Sequence, residues 1–383
     1  MLIVSPPFGS YLQESQRRRK LGYEDFLVPR RIRARGKWWK IYRDAVKEAY
    51  GTYSRLIEKG VELEDARYVL PLSSKTSLFA SGSLESFLAL IMNAEKNGRE
   101  SKWYPEELAI LGEEIKRTVR EVAPLLTDAR LCFRIRLPTY PYANLYREEN
   151  GLMRKIIEGN EVEKPTLLSM SVLVEDEKLV REALKDAAAA HVLNPLIQAV
   201  FLESMSLAAY HQSIRHRTIT TAVEPIYSAM ERCLAKPEKN LIIPPKIMRS
   251  EKLVNPFLDC VSKLLEAYQK LIEEAAHPSD SIYLAPQAVR IYVIKSYNAF
   301  NLLWPQGYVA MRTCSYSQWE LRRIAYEVWK RVGERAPWLG KLMGERCKLL
   351  GYCPERKWCQ TILKYREYND EIHRKALKKM AKP

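Results

Sequence analysis

The chain has 383 residues, 47% of them hydrophobic and 28% charged, with a formal net charge of +16. That composition excludes a disordered chain and allows one large core or two ordinary ones. No apolar run approaches the length of a membrane span, and Met1-Leu2-Ile3-Val4 is too short for a signal peptide, so a cytoplasmic location without membrane contact is expected. Seven scattered cysteines, an odd number, suit a reducing compartment.

In chain order, the first feature is a basic stretch over residues 17–43. It runs from Arg17-Arg18-Arg19-Lys20 to Arg30, Arg31, Arg33, Arg35, Lys37, Lys40 and Arg43, with Trp38 and Trp39 among them. Basic residues interleaved with aromatics make a surface for RNA or single-stranded DNA, for anionic small molecules, or a solvated basic face. Apolar residues at helical spacing predict a long helix from Lys37 to Lys59. The segment Leu137 to Pro165, rich in Pro, Tyr, Gly, Asn and Glu, reads as a linker or exposed excursion. Thr166 to Val174 has strand character, and Asp176 is placed to cap a helix running through Ala190, with Glu177 in its first turn.

An apolar segment from Leu193 to Leu207 leads into Tyr210-His211-Gln212-Ser213-Ile214-Arg215-His216-Arg217. Arginine forks phosphate and carboxyl oxygens, and histidine adds a planar ring that donates or stacks. Positive charge anchored beside an apolar wall suits a nucleotide or dinucleotide; the alternative is a solvated basic helix end. A second long helix is predicted from Glu251 to Ala275. Near the end, Cys347, Cys353 and Cys359 are evenly spaced, with His373 beyond. The Cys-x-x-Cys pairs of structural zinc sites are missing, so no metal is assigned.

The chain carries one pattern twice. Tyr53-Ser-Arg-Leu-Ile-Glu58 with Arg67-Tyr-Val-Leu-Pro71 matches Tyr268-Gln-Lys-Leu-Ile-Glu273 with Ile282-Tyr-Leu-Ala-Pro286, in constant register. Val119-Arg-Glu-Val-Ala-Pro124 matches Val332-Gly-Glu-Arg-Ala-Pro337. Two diverged copies of this length read as duplicated domains, not a solenoid. The expected organisation is a first repeat over 1–136, a linker over 137–165, a complete second repeat over 166–345, and a basic cysteine-containing tail over 346–383. The first copy opens in mid-domain at Met1, with no counterpart of residues 166–205.

The second copy resembles the flavin-dependent thymidylate synthases. The residues that carry this are His211-Gln212, Arg215-His216-Arg217, and Arg312 followed by Ser317-Gln318-Trp319-Glu320-Leu321-Arg322. His191 is similar to the histidine opening the family's upstream segment. The departures are Pro225 and Tyr227, where the family has a serine and an arginine, and Ile282, where it has the arginine of Ala-Arg-x-x-Leu-Pro. The first copy holds what the second lacks. Ser15 and Arg17 resemble the serine-x-arginine segment, and Ala66-Arg67-Tyr-Val-Leu-Pro71 is intact. Conversely, Ser5-Pro6-Pro7 stands where Arg-His-Arg belongs, and Ile91 corresponds to Arg312.

The resemblance implies an α+β, helix-rich fold of two repeats, each with a small β-sheet and long helices. It implies methylation of dUMP to dTMP with methylenetetrahydrofolate and reduced FAD, NADPH re-reducing the flavin. Arg215, His216 and Arg217 would hold FAD; Gln212, Ser15, Arg17 and Arg67 would bind dUMP; Arg312 would be the catalytic group. The family builds its sites between subunits. Two degenerate copies are therefore expected to complete one composite site, in a homo-oligomer whose dimer forms a tetramer-like core. The alternative is a non-catalytic relative that binds RNA or DNA through residues 17–43, or another partner.

Overall fold

The computed structural model describes residues 9–98, 101–131, 143–149, 151–160, 163–355 and 359. The fold is α+β, with small antiparallel sheets among many helices. The residues divide into two compact units. The first takes Met1–Arg154, Ser206–Arg215 and Val223–Ile291; the second takes Lys155–Met205, His216–Ala222 and Tyr292–Pro383.

In chain order the elements begin with β1 (Gly9–Gln13), α1 (Arg30–Arg33), α2 (Gly36–Glu58), α3 (Leu63–Ala66), a 3-10 turn (Arg67–Val69) and β2 (Leu78–Gly82). Then come α4 (Leu84–Gly98), α5 (Glu106–Val122), α6 (Pro124–Leu131) and α7 (Leu152–Glu158). β1 and β2 form an antiparallel pair. The predicted long helix is α2. It buries Trp38, Tyr42, Ala45, Val46, Ala49, Tyr53 and Leu56, a stripe at the 3–4 residue spacing that a helix needs to face a core. Its end is a Schellman closure: Val61 N–H donates to Leu56 O at 3.0 Å and Gly60 N–H to Ile57 O at 2.8 Å. Gly60 supplies the required left-handed backbone, with φ of 81°.

Next follow β3 (Thr166–Val172), α8 (Glu177–Ala183), α9 (Ala187–His191), α10 (Leu193–Leu196), β4 (Ile197–Ser206), α11 (Leu207–Ser213), β5 (Thr220–Val223), α12 (Ile226–Ala235) and α13 (Pro237–Asn240). The helix expected from Asp176 through Ala190 is two helices. Asp176 caps α8 by accepting from the backbone of Lys178 and Leu179, but α8 ends at Ala183. Asp186 then caps α9 by accepting from Ala189 N–H; a short acidic side chain inside the span starts a second helix instead of continuing the first.

The remaining elements repeat the opening order: α14 (Pro245–Met248), α15 (Glu251–Glu273), α16 (Pro278–Ser281), a 3-10 turn (Ile282–Leu284), β6 (Arg290–Asn298), α17 (Ala299–Leu303), α18 (Tyr308–Arg312), α19 (Trp319–Arg335), α20 (Pro337–Leu342) and α21 (Arg346–Leu350). α14, α15 and their 3-10 turn start 215 residues after α1, α2 and theirs (Arg30 to Pro245, Gly36 to Glu251, Arg67 to Ile282). The left-handed closure recurs too, but on Ala275, with φ of 57°.

In the first unit α2 and α15 pack together. Pro71 and Pro286 pair antiparallel between the segments that follow them. Around that pair the hydrogen bonds come in exchangeable couples. Leu72 N–H donates to Ala285 O at 3.0 Å and Gln287 N–H to Leu70 O at 2.9 Å; Ser73 N–H donates to Tyr283 O at 2.9 Å and Ala288 N–H to Tyr68 O at 3.0 Å. Each couple maps onto itself when residues 215 apart change places, which is a local twofold axis. The second unit is built on a four-stranded sheet of order β3-β4-β6-β5. β4 is the apolar segment before the basic block, and it is buried from Phe201 onward.

Candidate functional site

The candidate residues fall in both units. In the first, residues far apart in the chain meet. The Arg17 guanidinium forms charge-assisted bonds with Glu64 Oε2 at 2.8 and 2.5 Å and donates to Gln212 Oε1 at 3.5 Å. Arg215 donates to Gln13 Oε1 at 2.9 Å. Arg67 is 4% exposed and donates to the carbonyls of Glu64 at 3.2 Å and Ala208 at 3.2 Å. Ser15 begins the turn that presents Arg17, its Oγ accepting from Arg17 N–H at 3.3 Å. α11 supplies Gln212, and its N-terminus is fixed by Ser206 Oγ accepting from Ala209 N–H at 3.0 Å.

His211 lies amid these groups. Burial first, and then the positive charges of Arg67 and Arg215, push its imidazole well below the usual histidine value, so it is neutral. Its Nε2 is buried and without a hydrogen-bond partner among the described residues. Burial is the main cause, so the ring is an uncharged group beside the Arg67 and Arg215 guanidiniums.

In the second unit Arg312 Nε donates to His216 Nε2 at 2.7 Å. Accepting that bond requires an unprotonated Nε2, which assigns the ring proton to Nδ1. Burial, then the charges of Arg312 and Lys295, lower the His216 value well below the ordinary range. The ring lies edge-on to Tyr308, with centroids 4.9 Å apart. Tyr308 and Arg312 are four apart on α18 and so share one face. Behind Tyr308, Lys295 contacts its hydroxyl at 3.5 Å and pairs with Glu203 at 2.6 Å, while Tyr297 donates to the other Glu203 oxygen. Lys295 and Glu203 are essentially inaccessible. Burial alone would lower the Lys295 ammonium, and Glu203 more than offsets it, keeping the value above ordinary.

Sequence reasoning missed this Glu203–Lys295–Tyr308 support. Its signal was available: Glu203 and Lys295 interrupt the apolar runs of β4 and β6, and a charge inside a buried strand needs a partner. The motif Ser317 to Arg322 spans the start of α19. Gln318 caps it, accepting from Leu321 N–H at 3.0 Å, and Arg322 holds the Ser315 carbonyl at 3.0 Å. Arg217 is half-buried and His191 is exposed at the end of α9. Ser5-Pro6-Pro7 and His373 lie outside the described residues.

The positions where one copy departs from the pattern are apolar or aromatic and packed. Ile282 and Tyr227 are buried, and the Tyr227 hydroxyl donates to Trp103 O at 2.5 Å. Ile91 is buried with Leu88, Met92 and Leu131. In the basic stretch, Arg31 holds the buried Asp280 at 2.5 Å, Lys37 reaches Glu274 at 2.5 Å, and Trp38 is 6% exposed within the α2 core. Base stacking on Trp38 is thereby closed off.

The family model described as thymidylate synthase complementing protein matches residues 5–125 and 144–338. The chain belongs to this family. Among its curated thymidylate synthase complementing relatives, a protein of Pyrococcus abyssi named flavin-dependent thymidylate synthase is 26% identical over 163 residues, covering 41% of this chain and 64% of the relative. Those of Thermococcus onnurineus and Sulfurisphaera tokodaii, named likewise, are 26% identical over 194 residues and 30% over 159, covering 46% and 41% of this chain and 74% and 58% of theirs. The first match thus spans a little under two thirds of the relative's own length. A solved Helicobacter pylori flavin-dependent thymidylate synthase, complexed with FAD and dUMP, superposes with a TM-score of 0.38 at 15% identity, covering 47% of this chain and all of its own. No helix among the described residues is long and apolar enough to cross a membrane.

Proposed function

We propose that this chain is a flavin-dependent thymidylate synthase descended from a tandem duplication, methylating dUMP to dTMP at a site composed of residues from both repeats. The observation that carries the reading is the pair of contacts Arg17–Gln212 and Gln13–Arg215. Segments about 200 residues apart in the chain bring together the groups that each repeat alone lacks. Family membership and the names of the curated relatives support the same reaction.

The donor sets fit the two anionic ligands. Arg17 and Arg67 hold the phosphate of dUMP, with Ser15 and Gln212 bonding the nucleoside. Arg215, His216 and Arg217 hold FAD, whose phosphates suit guanidinium donors. When bound, the reduced flavin supplies hydride to the methylene group that methylenetetrahydrofolate delivers, and NADPH restores the flavin. Arg312 stabilises negative charge on the pyrimidine as its N3 proton leaves. Neutral His216 accepts a hydrogen bond from Arg312 Nε–H, which holds the charged guanidinium in one orientation.

Purified protein is expected to bind FAD and to form dTMP from dUMP. Arg67→Ala and Arg215→Ala are each expected to lower dUMP-dependent turnover by about 10- to 100-fold, the worth of one or two charge-assisted hydrogen bonds. Full activity in Arg67→Ala would overturn the composite site. A preparation that takes up no added FAD would overturn the enzyme. The assembly proposed is a homodimer, so light scattering is expected to give twice the 44.5 kDa chain mass; a monomeric mass refutes it.

A further inference from the structure

The second unit holds a pocket whose lining differs from that of the arginine sites. Four cysteines line it: Cys314, Cys347, Cys353 and Cys359. Cys314 stands two residues past the end of α18. Cys347 is in α21, which is closed by Gly351 with a left-handed φ of 70°, turning the chain so that Cys353 reaches the same walls; Cys359 lines them too. The sequence hinted at three of these residues; the fold adds Cys314, more than 30 positions upstream.

Four converging thiols form a soft ligand set, which selects zinc, copper(I) or an iron–sulfur cluster. Geometry separates these. A lone zinc at about 2.3 Å from each sulfur draws all four within about 4 Å of one another. Among the described residues, no three ligating side chains are gathered tightly enough to hold a single ion. The four thiols instead line one pocket that is partly open to solvent. Their spacing of six and six also lacks the Cys-x-x-Cys pair of zinc knuckles. A second observation is a buried donor that no protein group takes up. Arg346 lines the pocket, and its Nε is buried without a hydrogen-bond partner among the described residues. Glu345 and Glu355 line it too; one Glu345 carboxylate oxygen accepts from Tyr326 at 2.7 Å, and the other is buried without a hydrogen-bond partner among the described residues. An N–H donor directed at cluster sulfur is one of the ways a protein stabilises such a centre.

We infer that Cys314, Cys347, Cys353 and Cys359 ligate an iron–sulfur cluster of the four-iron type, independently of the proposed thymidylate chemistry. The cluster would tie the segment after α21 to the loop that follows Arg312.

The test uses the full chain purified without oxygen, then reconstituted with ferrous iron and sulfide. Iron and acid-labile sulfide are expected at about four each per chain, with a paramagnetic signal on reduction. Flavin contributes neither, so FAD content does not affect the reading. Cys353→Ser and Cys359→Ser are expected to lose most of the iron and sulfide while far-ultraviolet circular dichroism is retained. If the variants are insoluble, the wild-type stoichiometry alone decides. Stoichiometric zinc without sulfide overturns the proposal, as does a reconstituted protein with no bound metal.

Discussion

His216 can accept the hydrogen bond from Arg312 Nε–H only while its own Nε2 carries no proton, so the contact has a built-in pH dependence. Its folded-state value, like that of His211, lies well below the ordinary 6.5. The unfolded chain therefore takes up protons near pH 6.5 that the native chain refuses. Stability is highest above that pH and falls as acid is added, by up to about 1.4 kcal/mol per pH unit for each histidine. The melting temperature is expected to drop between pH 7.5 and 5.5, and His216→Gln, which cannot titrate, should flatten the slope. An unchanged slope in that variant would show that His216 titrates normally. The Arg-His-Arg triplet was legible as a cluster of charge. Its division of labour was not: Arg215 turns to Gln13 and His216 to Arg312, and pairing of that kind depends on tertiary neighbours, not on spacing.

At the scale of elements, the two long helices are the clearest case of sequence foretelling structure, because a stripe of apolar residues over 23 positions has one periodic solution. Their ends were less visible. Gly60 and Ala275 occupy the same left-handed closure, but only glycine announces it. Alanine there carries a Cβ against the following carbonyl, at about 1–2 kcal/mol, partly offset by glycine's greater freedom when unfolded. Ala275→Gly is therefore expected to stabilise by roughly 0.5–1 kcal/mol, whereas Gly60→Ala should destabilise by a similar amount. Denaturation midpoints that move in the same direction for both would refute the assignment. α8 and α9 show the opposite limit: an internal Asp186 reads as an ordinary polar position until its side chain takes the Ala189 amide.

Across the whole molecule, the repeat was legible because it kept constant register, and the structure supplies what that register is for: α2 and α15 as partners around the Pro71–Pro286 pair. The ion pair of Arg31 with Asp280, whose side chain is 1% exposed, joins the same two stretches. It was hidden in a basic segment that composition alone would assign to solvent or nucleic acid. Removing the arginine leaves a buried carboxylate without its ion-pair partner, so Arg31→Ala is expected to cost about 2–4 kcal/mol, and Arg31→Ala with Asp280→Asn much less. Additive losses in that cycle, measured by urea unfolding, would refute direct coupling.

The local twofold lies within one chain, and this changes its mass action. Where equivalent helices belong to separate subunits, their association weakens on dilution and both copies inherit every substitution. Here α2 and α15 are held by covalent connection at a fixed effective concentration, whatever the amount of protein. Each half is also free to vary alone: a residue can be lost on one side of the axis, as Arg67 is replaced by Ile282, without being lost on the other.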